Sequence, residues 1–205
     1  MKQSAKQKKS LEQAAHKYAE DIQHAEAYLA KRGLSLDDAR TFHLGVCVTP
    51  APGHEQMVGR LSIPYLTDNG VADIRFRALG PEEPKYMGLT GNQTHLYNVK
   101  AILRANDTLA ICEGEIDAIT LHHKVGIPAI GVPGANNWKP HYLRLLQDFE
   151  TVIIFADGDQ PGQEFAKKIA REVPGVIIIN MPEGEDVNSI YLQHGADWFK
   201  GRIEQ

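Results

Sequence analysis

Acidic residues cluster at three places where an apolar run gives way to a turn. The run LAIC (109–112) leads into Glu113-Gly114-Glu115, with Asp117 just beyond. The run VIIFA (152–156) leads into Asp157-Gly158-Asp159, and VIIIN (176–180) leads through MPEGE to Asp186 and Asn188. If the three runs are neighbouring strands, Glu113, Asp157, Asp159 and Asp186 converge on one rim. Gathered carboxylates repel one another, and burying them unpaired costs several kcal/mol each. A divalent cation relieves that cost. Hard oxygen donors without histidine or thiol favour Mg2+ or Mn2+. Gly114, Gly158 and Gly162 keep the turns bare enough for a phosphate to approach. A plainer reading stays open for each motif alone: Asp-Gly-Asp before a helix also makes an ordinary turn and cap.

Other candidate donors are weaker. Cys47 and Cys112 lie far apart and follow no metal spacing, so neither a zinc site nor a disulfide framework is expected, and the reduced cytoplasm is the default setting. His122 and His123 are consecutive, and consecutive helix residues point apart, which suits a helix surface better than a ligand pair.

The elements that must position the acids follow from periodicity. After Asn106, strands at 109–112, 129–132, 152–156 and 176–180 alternate with helices at 116–125, 140–148 and 162–173. Such alternation builds a mostly parallel sheet flanked by helices, whose reactive edge lies where strands end and helices begin. The first half differs. Leu11, Ala15, Tyr18, Ile22, Ala25 and Leu29 recur at helical spacing, and Gly33 ends that helix. Lys2 to Lys9 reads as frayed, Ser35 caps a short helix over 36–41, and 49–56 is a loop. Two strand-like runs flank Asp68-Asn69-Gly70, a hairpin signal. On the second run Ile74 and Phe76 point one way and Arg75 and Arg77 the other. Two arginines so placed stand about 6.5–7 Å apart, close to the spacing of successive phosphates, although a solvated strand face reads the same. Residues 82–98 form a loop that holds Lys85 and Tyr86. The domains expected are 1–104 and 105–205.

Composition sets limits. The chain has 205 residues, 42% hydrophobic and 23% charged, ordinary for a globular protein. The net charge of -4 argues against a general nucleic-acid coat. The charge is uneven: residues 1–104 carry 14 Lys+Arg against 11 Asp+Glu, and the remainder 8 against 15. The first half suits a polyanion and the second suits cations. No apolar run reaches about 18 residues, so no membrane span is expected, and MKQSAKQKKS lacks the apolar stretch of a signal peptide.

The ordered set EGEIDA (113–118), DGDQPG (157–162) and EDVN (185–188) resembles the TOPRIM domain of bacterial-type primases, topoisomerases and some nucleases. AEAYLAKRGLSLDDARTFHLG (25–45), GRLSIPYLTDNGVADIRFRAL (59–79) and PKYMG (84–88) are similar to the RNA-polymerase core of DnaG-type and phage primases, and EGEIDA is nearest the phage primase-helicase form. The resemblance covers residues 14–200 and implies an α/β fold: a Rossmann-like TOPRIM domain, its mostly parallel sheet flanked by helices, after a small basic α+β subdomain.

The resemblance also implies roles. Glu113 is the acid of the first motif, binding metal or acting as general acid/base. Asp157 and Asp159 bind divalent metal and Asp186 joins them, while Gly114, Asp117, Gly158, Gly162 and Asn188 support the turns. Arg75, Arg77 and Lys85, with Arg60 as a weaker candidate, engage template or nucleotide phosphates. The implied activity is a DNA primase making short RNA primers on single-stranded DNA from ribonucleoside triphosphates, with Mg2+ or Mn2+, in a bacterial or phage-infected cytoplasm. Tyr86 or Trp138 is available to stack on bases, although a Trp placed like Trp138 more often packs. The usual zinc-binding module and helicase region do not accompany these segments, and GNQTHLYN (91–98) has no lysine where many relatives have one. The expectation is therefore an isolated catalytic core that works with a helicase or a separate zinc-binding module. Two rivals share the same residues: a metal-dependent TOPRIM nuclease and a non-catalytic, primase-like replisome-binding protein.

Overall fold

The computed structural model describes residues 4–89, 91, 95–134 and 137–203. The chain divides into two compact units, Met1–His95 and Leu96–Gln205.

In the first unit, α1 (Ala5–Ala19) begins where Ser4 and Gln7 form a capping box. The Ser4 hydroxyl accepts from the Gln7 N–H at 3.2 Å, and the Gln7 side chain accepts from the Ser4 N–H at 2.8 Å. That reciprocal cap makes a helix of Lys6–Lys9, where fraying was expected. The helix does not run on to residue 31. A 3-10 turn over Ile22–Ala25 separates it from α2 (Glu26–Lys31). Ile22, Ala25 and Leu29 are still buried, so the apolar stripe survives the break. Ser35 caps α3 (Leu36–Thr41) as its type predicts, paired with Asp38.

Strands β1 (Gly45–Val46), β2 (Leu61–Thr67), β3 (Gly70–Arg77) and β4 (Tyr86–Gly88) form an antiparallel sheet in chain order. The hairpin falls at the predicted Asp68-Asn69 step. Gly45 has no room for a side chain, because a Cβ there would collide with the Tyr18 carbonyl on α1. Ile74 and Phe76 are fully buried. Phe76 meets the Tyr18 and His54 rings edge-on, at 5.9 and 5.6 Å between centroids. The Tyr18 hydroxyl accepts from the Ala51 N–H at 2.9 Å and bonds His54 Nδ1 at 2.8 Å. This packing fixes which face of β3 carries the arginines.

In the second unit, α4 (Lys100–Arg104) packs Ala101 into the same core as Leu96, Leu109 and Ile130. Helix α4 therefore shares its core with the strands C-terminal to it, whereas the change of sequence texture near residues 100–108 assigns it to the first half. The chain continues as β5 (Thr108–Cys112), α5 (Glu115–Ile119), a π-helical segment over Thr120–Val125 and β6 (Ala129–Gly131). A 3-10 segment, Pro140–Leu145, stands where a longer helix was predicted. Then come β7 (Thr151–Ala156), α6 (Gln160–Glu172), β8 (Ile177–Asn180), α7 (Val187–His194) and α8 (Asp197–Ile203). All strand pairs are parallel, in the order β6-β5-β7-β8. Ile111, Ile130, Ile154, Phe165 and Ile169 fill the core beneath the flanking helices. Trp138 belongs to that core at 3% exposure, and its indole N–H donates to Glu172 at 2.8 Å. It packs, and is not placed to stack on a base.

Candidate active site

Neighbouring strands β5 and β7 occupy the centre of the parallel sheet. The chain leaves β5 for β6 on one side and returns through β7 on the other. Strand order therefore reverses between them, and ligands of open α/β sheets bind beyond the carboxyl ends at such a point. Ile111 pairs with Ile154, so Glu113 and Asp157 leave the sheet side by side. Asn180 pairs with Ala156, so β8 delivers residues 181–185 to the same rim and hands over to Asp186, the N-cap of α7.

The acids are not equivalent. Glu113 and Asp157 are half-buried, and Glu113 Oε1 and Asp157 Oδ1 are buried without a hydrogen-bond partner. Burial, then the nearby Asp159 and Asp117, pushes the Glu113 carboxyl up to about 7. Burial, then Asp117, Glu113, Asp186 and Asp159, pushes Asp157 up to about 8. Its own burial, then Asp117, Asp157 and Glu113, holds the neighbouring Cys112 thiol well above its ordinary range. Asp159 is exposed and caps α6, accepting from the Gly162 N–H at 2.8 Å. Asp186 accepts from the Ser189 N–H at 2.7 Å, completing a capping box. The cap expected of the Asp-Gly-Asp turn is thus present at Asp159, and Asp186 caps α7 in the same way.

Asp117 is buried. Its Oδ1 accepts the Asn188 N–H at 3.0 Å, while Asn188 Nδ2 donates to the Thr120 hydroxyl at 3.0 Å. The Thr120 hydroxyl donates to the Ile116 carbonyl at 2.8 Å. The bare turns serve the protein itself. A Cβ on Gly158 would collide with the Pro182 carbonyl, and one on Gly162 would sit 2.9 Å from both the Asp157 nitrogen and Glu113 Oε1.

Hard carboxylate oxygens, two of them buried and unpartnered, suit Mg2+ or Mn2+. Among the described residues no three His, Cys, Asp or Glu side chains converge as a ready-made cage.

In the first unit the basic residues fall into different settings. Lys85 is exposed. Arg60 donates from Nη1 to the Pro84 carbonyl at 2.8 Å, bracing the turn that presents Lys85. Arg75 is half-buried with its guanidinium 4.7 Å from the Tyr86 ring centroid. Arg77 is only 6% exposed, so β3 does not present two open arginines at phosphate spacing. Part of the loop GNQTHLYN, residues 92–94, lies outside the described residues.

A family described as Toprim-like matches residues 110–191, a span holding all four rim acids. The gene 57 protein of Mycobacterium phage D29 is 49% identical over 150 residues, 71% of this chain and 98% of that protein. The DNA primase of Pseudomonas aeruginosa is 28% identical over 87% of this chain and 34% of its own. The RNA polymerase domain of Mycobacterium tuberculosis primase DnaG superposes with a TM-score of 0.80 at 20% identity, covering 100% of this chain and 84% of that one. A DnaG primase catalytic domain bound to ssDNA superposes at 0.79 with 22% identity, covering 98% and 80%. The chain belongs to the TOPRIM-containing, DnaG-type primase-core family. It spans about a third of the length of the bacterial primases it matches. The TOPRIM fold expected of this primase core, a parallel sheet flanked by helices, is the fold observed in the second unit.

Three neighbours of the candidate site residues escaped the sequence reading. Tyr28 and Arg32 stand one helical turn apart on and just after α2, with the Arg32 guanidinium 5.8 Å from the Tyr28 ring. An aromatic and an arginine at i, i+4 is a readable pairing. Thr120 gave no signal, because its role depends on Asn188 from a distant helix.

Proposed function

We propose that this chain is the catalytic core of a DNA primase, joining ribonucleotides on a single-stranded DNA template by nucleotidyl transfer. The observation that carries this reading is the pair of buried, unpartnered oxygens on Glu113 and Asp157 at the switch point of a primase-family sheet. The names of the bacterial relatives and the ssDNA-bound core of the same fold support it.

Glu113, Asp157, Asp159 and Asp186 are the residues that would hold Mg2+ or Mn2+. Such ions, if bound, would supply activation of an attacking 3′-hydroxyl and neutralisation of triphosphate charge. The chain's own residues do the rest. Glu113, pushed to about 7, can hold or release a proton at its unpartnered oxygen near neutral pH. Lys85 and Arg75 offer positive charge to phosphates, and Arg60 fixes the turn before Lys85. A helicase or a separate zinc-binding module would act as partner.

The test supplies ribonucleotides, Mg2+ or Mn2+ and varied single-stranded templates, with and without helicase or zinc-binding module. Short RNA products are expected, and the double variant D157A/D159A should make none. Shortening of DNA without nucleotides would assign the same acids to hydrolysis. No product under any combination would leave a binding role.

A further inference from the structure

In the first unit arginines and tyrosines alternate in a row. The Arg32 guanidinium lies 5.8 Å from the Tyr28 ring centroid, and Arg77 lies 5.4 Å from the same ring. Arg77 also lies 5.0 Å from the Tyr86 ring, and Arg75 lies 4.7 Å from it. Nη1 of Arg77 donates to the Tyr86 hydroxyl. The order is Arg32, Tyr28, Arg77, Tyr86, Arg75: three cations joined by two rings. The middle cation is the buried one, at 6% exposure, while the end members are half-buried.

A guanidinium taken from water needs compensating negative potential, which ring faces supply. The rings also fix where each guanidinium stands, so less side-chain freedom is lost when an anion arrives. Tyr86, on β4, already holds the two arginines of β3. Tyr28 is the other junction, and it links α2 to β3.

Resting on the primase reading, we propose that Tyr28 is a positioning residue for nucleic-acid binding. Its ring joins Arg32 to Arg77, which Tyr86 joins to Arg75, making a preorganised cationic strip for the phosphates of a single strand. Arg77 acts as an internal strut, and the half-exposed Arg32 and Arg75 meet phosphate.

The full chain is titrated into a fluorescent oligothymidylate, with anisotropy read at several salt concentrations. The variants are Y28L, Y28M, Y28F and R75A, each compared at its own folded fraction from thermal melting. Removing the ring in Y28L and Y28M should weaken binding about threefold to tenfold, the size of one cation–π interaction. It should also flatten the slope of log K against log salt by about 0.7 for each phosphate no longer neutralised. Y28F, which keeps the ring, should restore both. A packing defect alone would lower the melting temperature and leave the salt slope alone. If R75A weakens binding while Y28L and Y28M keep wild-type affinity and slope, the inference about Tyr28 is wrong. If R75A also leaves binding unchanged, this unit is not the nucleic-acid surface, and that part of the functional reading falls with it.

Discussion

The main-chain N–H of Asn188 donates to Asp117 Oδ1 at 3.0 Å, tying the helix after the first acidic motif to the helix after the third. Both residues are buried, and Asp117 is the largest like-charge neighbour of Asp157. D117N keeps an acceptor for that N–H and removes the charge. It should cost under about 1.5 kcal/mol, within the worth of one hydrogen bond. D117A orphans the N–H and should cost about 1–3 kcal/mol. Denaturant melts check both. Carbonyl NMR titration of D117N should show Asp157 moving back toward the ordinary carboxylate range.

The raised carboxyls make stability depend on pH in a defined direction. Asp157 rises from 3.8 to about 8 and Glu113 from 4.5 to about 7. A carboxyl whose folded pKa exceeds its unfolded one stabilises the fold while protonated. The contribution is complete below the unfolded value and is lost as pH rises through the folded one. The metal-free protein should therefore lose Tm between pH 5 and pH 8 by several degrees, at roughly 2–4 °C per kcal/mol for this size. His54 and His122, held low by burial, act in the opposite sense. The difference between wild type and D157N isolates the carboxyl: D157N should melt with a flatter profile and above wild type at pH 8. Millimolar Mn2+ should raise wild type at pH 8 and leave D157N nearly unmoved.

Gly158 and Gly201 should respond oppositely to the same change. A Cβ on Gly158 collides with the backbone of Pro182, which cannot yield without shifting the loop that leads to Asp186. G158A should cost about 3 kcal/mol or more, in the range of overpacking against fixed atoms. Gly201 lies in α8 with open space around it, so G201A should add up to about 1 kcal/mol from helix propensity. Thermal melts of the pair check the contrast.

How much of the fold and site was legible in the sequence depends on the range of the forces involved. The parallel sheet, the hairpin at Asp68-Asn69 and the acid-bearing strand ends are written in local periodicity and turn residues, and they stand where expected. The break between α1 and α2 was hidden because Ile22, Ala25 and Leu29 keep helical spacing across it. The burial of Arg77 could not be read from β3, since it depends on Tyr28 and Tyr86 from other elements. Packing was the more common role for a Trp like Trp138, and its burial and bond to Glu172 supply it. The final helices α7 and α8 follow short apolar stretches with weak periodicity, though the Asp186–Ser189 cap was present to be read.

Asp159 poses the choice between cap and ligand most sharply, and one substitution separates the two. Asparagine caps helices about as well as aspartate, so D159N keeps the bond to the Gly162 N–H. Losing a charge at the α6 N-terminus should change stability by about 0.3–1 kcal/mol. D159A, which removes the cap, should cost about 1 kcal/mol more. Ion affinity should sort the variants differently. If Asp159 is a ligand, D159N and D159A both lose at least about tenfold in Mn2+ affinity by calorimetry, because a neutral amide or a methyl group replaces a carboxylate. If it is a cap and nothing more, D159N binds Mn2+ like wild type. An outcome in which stability follows the cap while affinity follows the charge would establish that one side chain closes the helix and serves the rim.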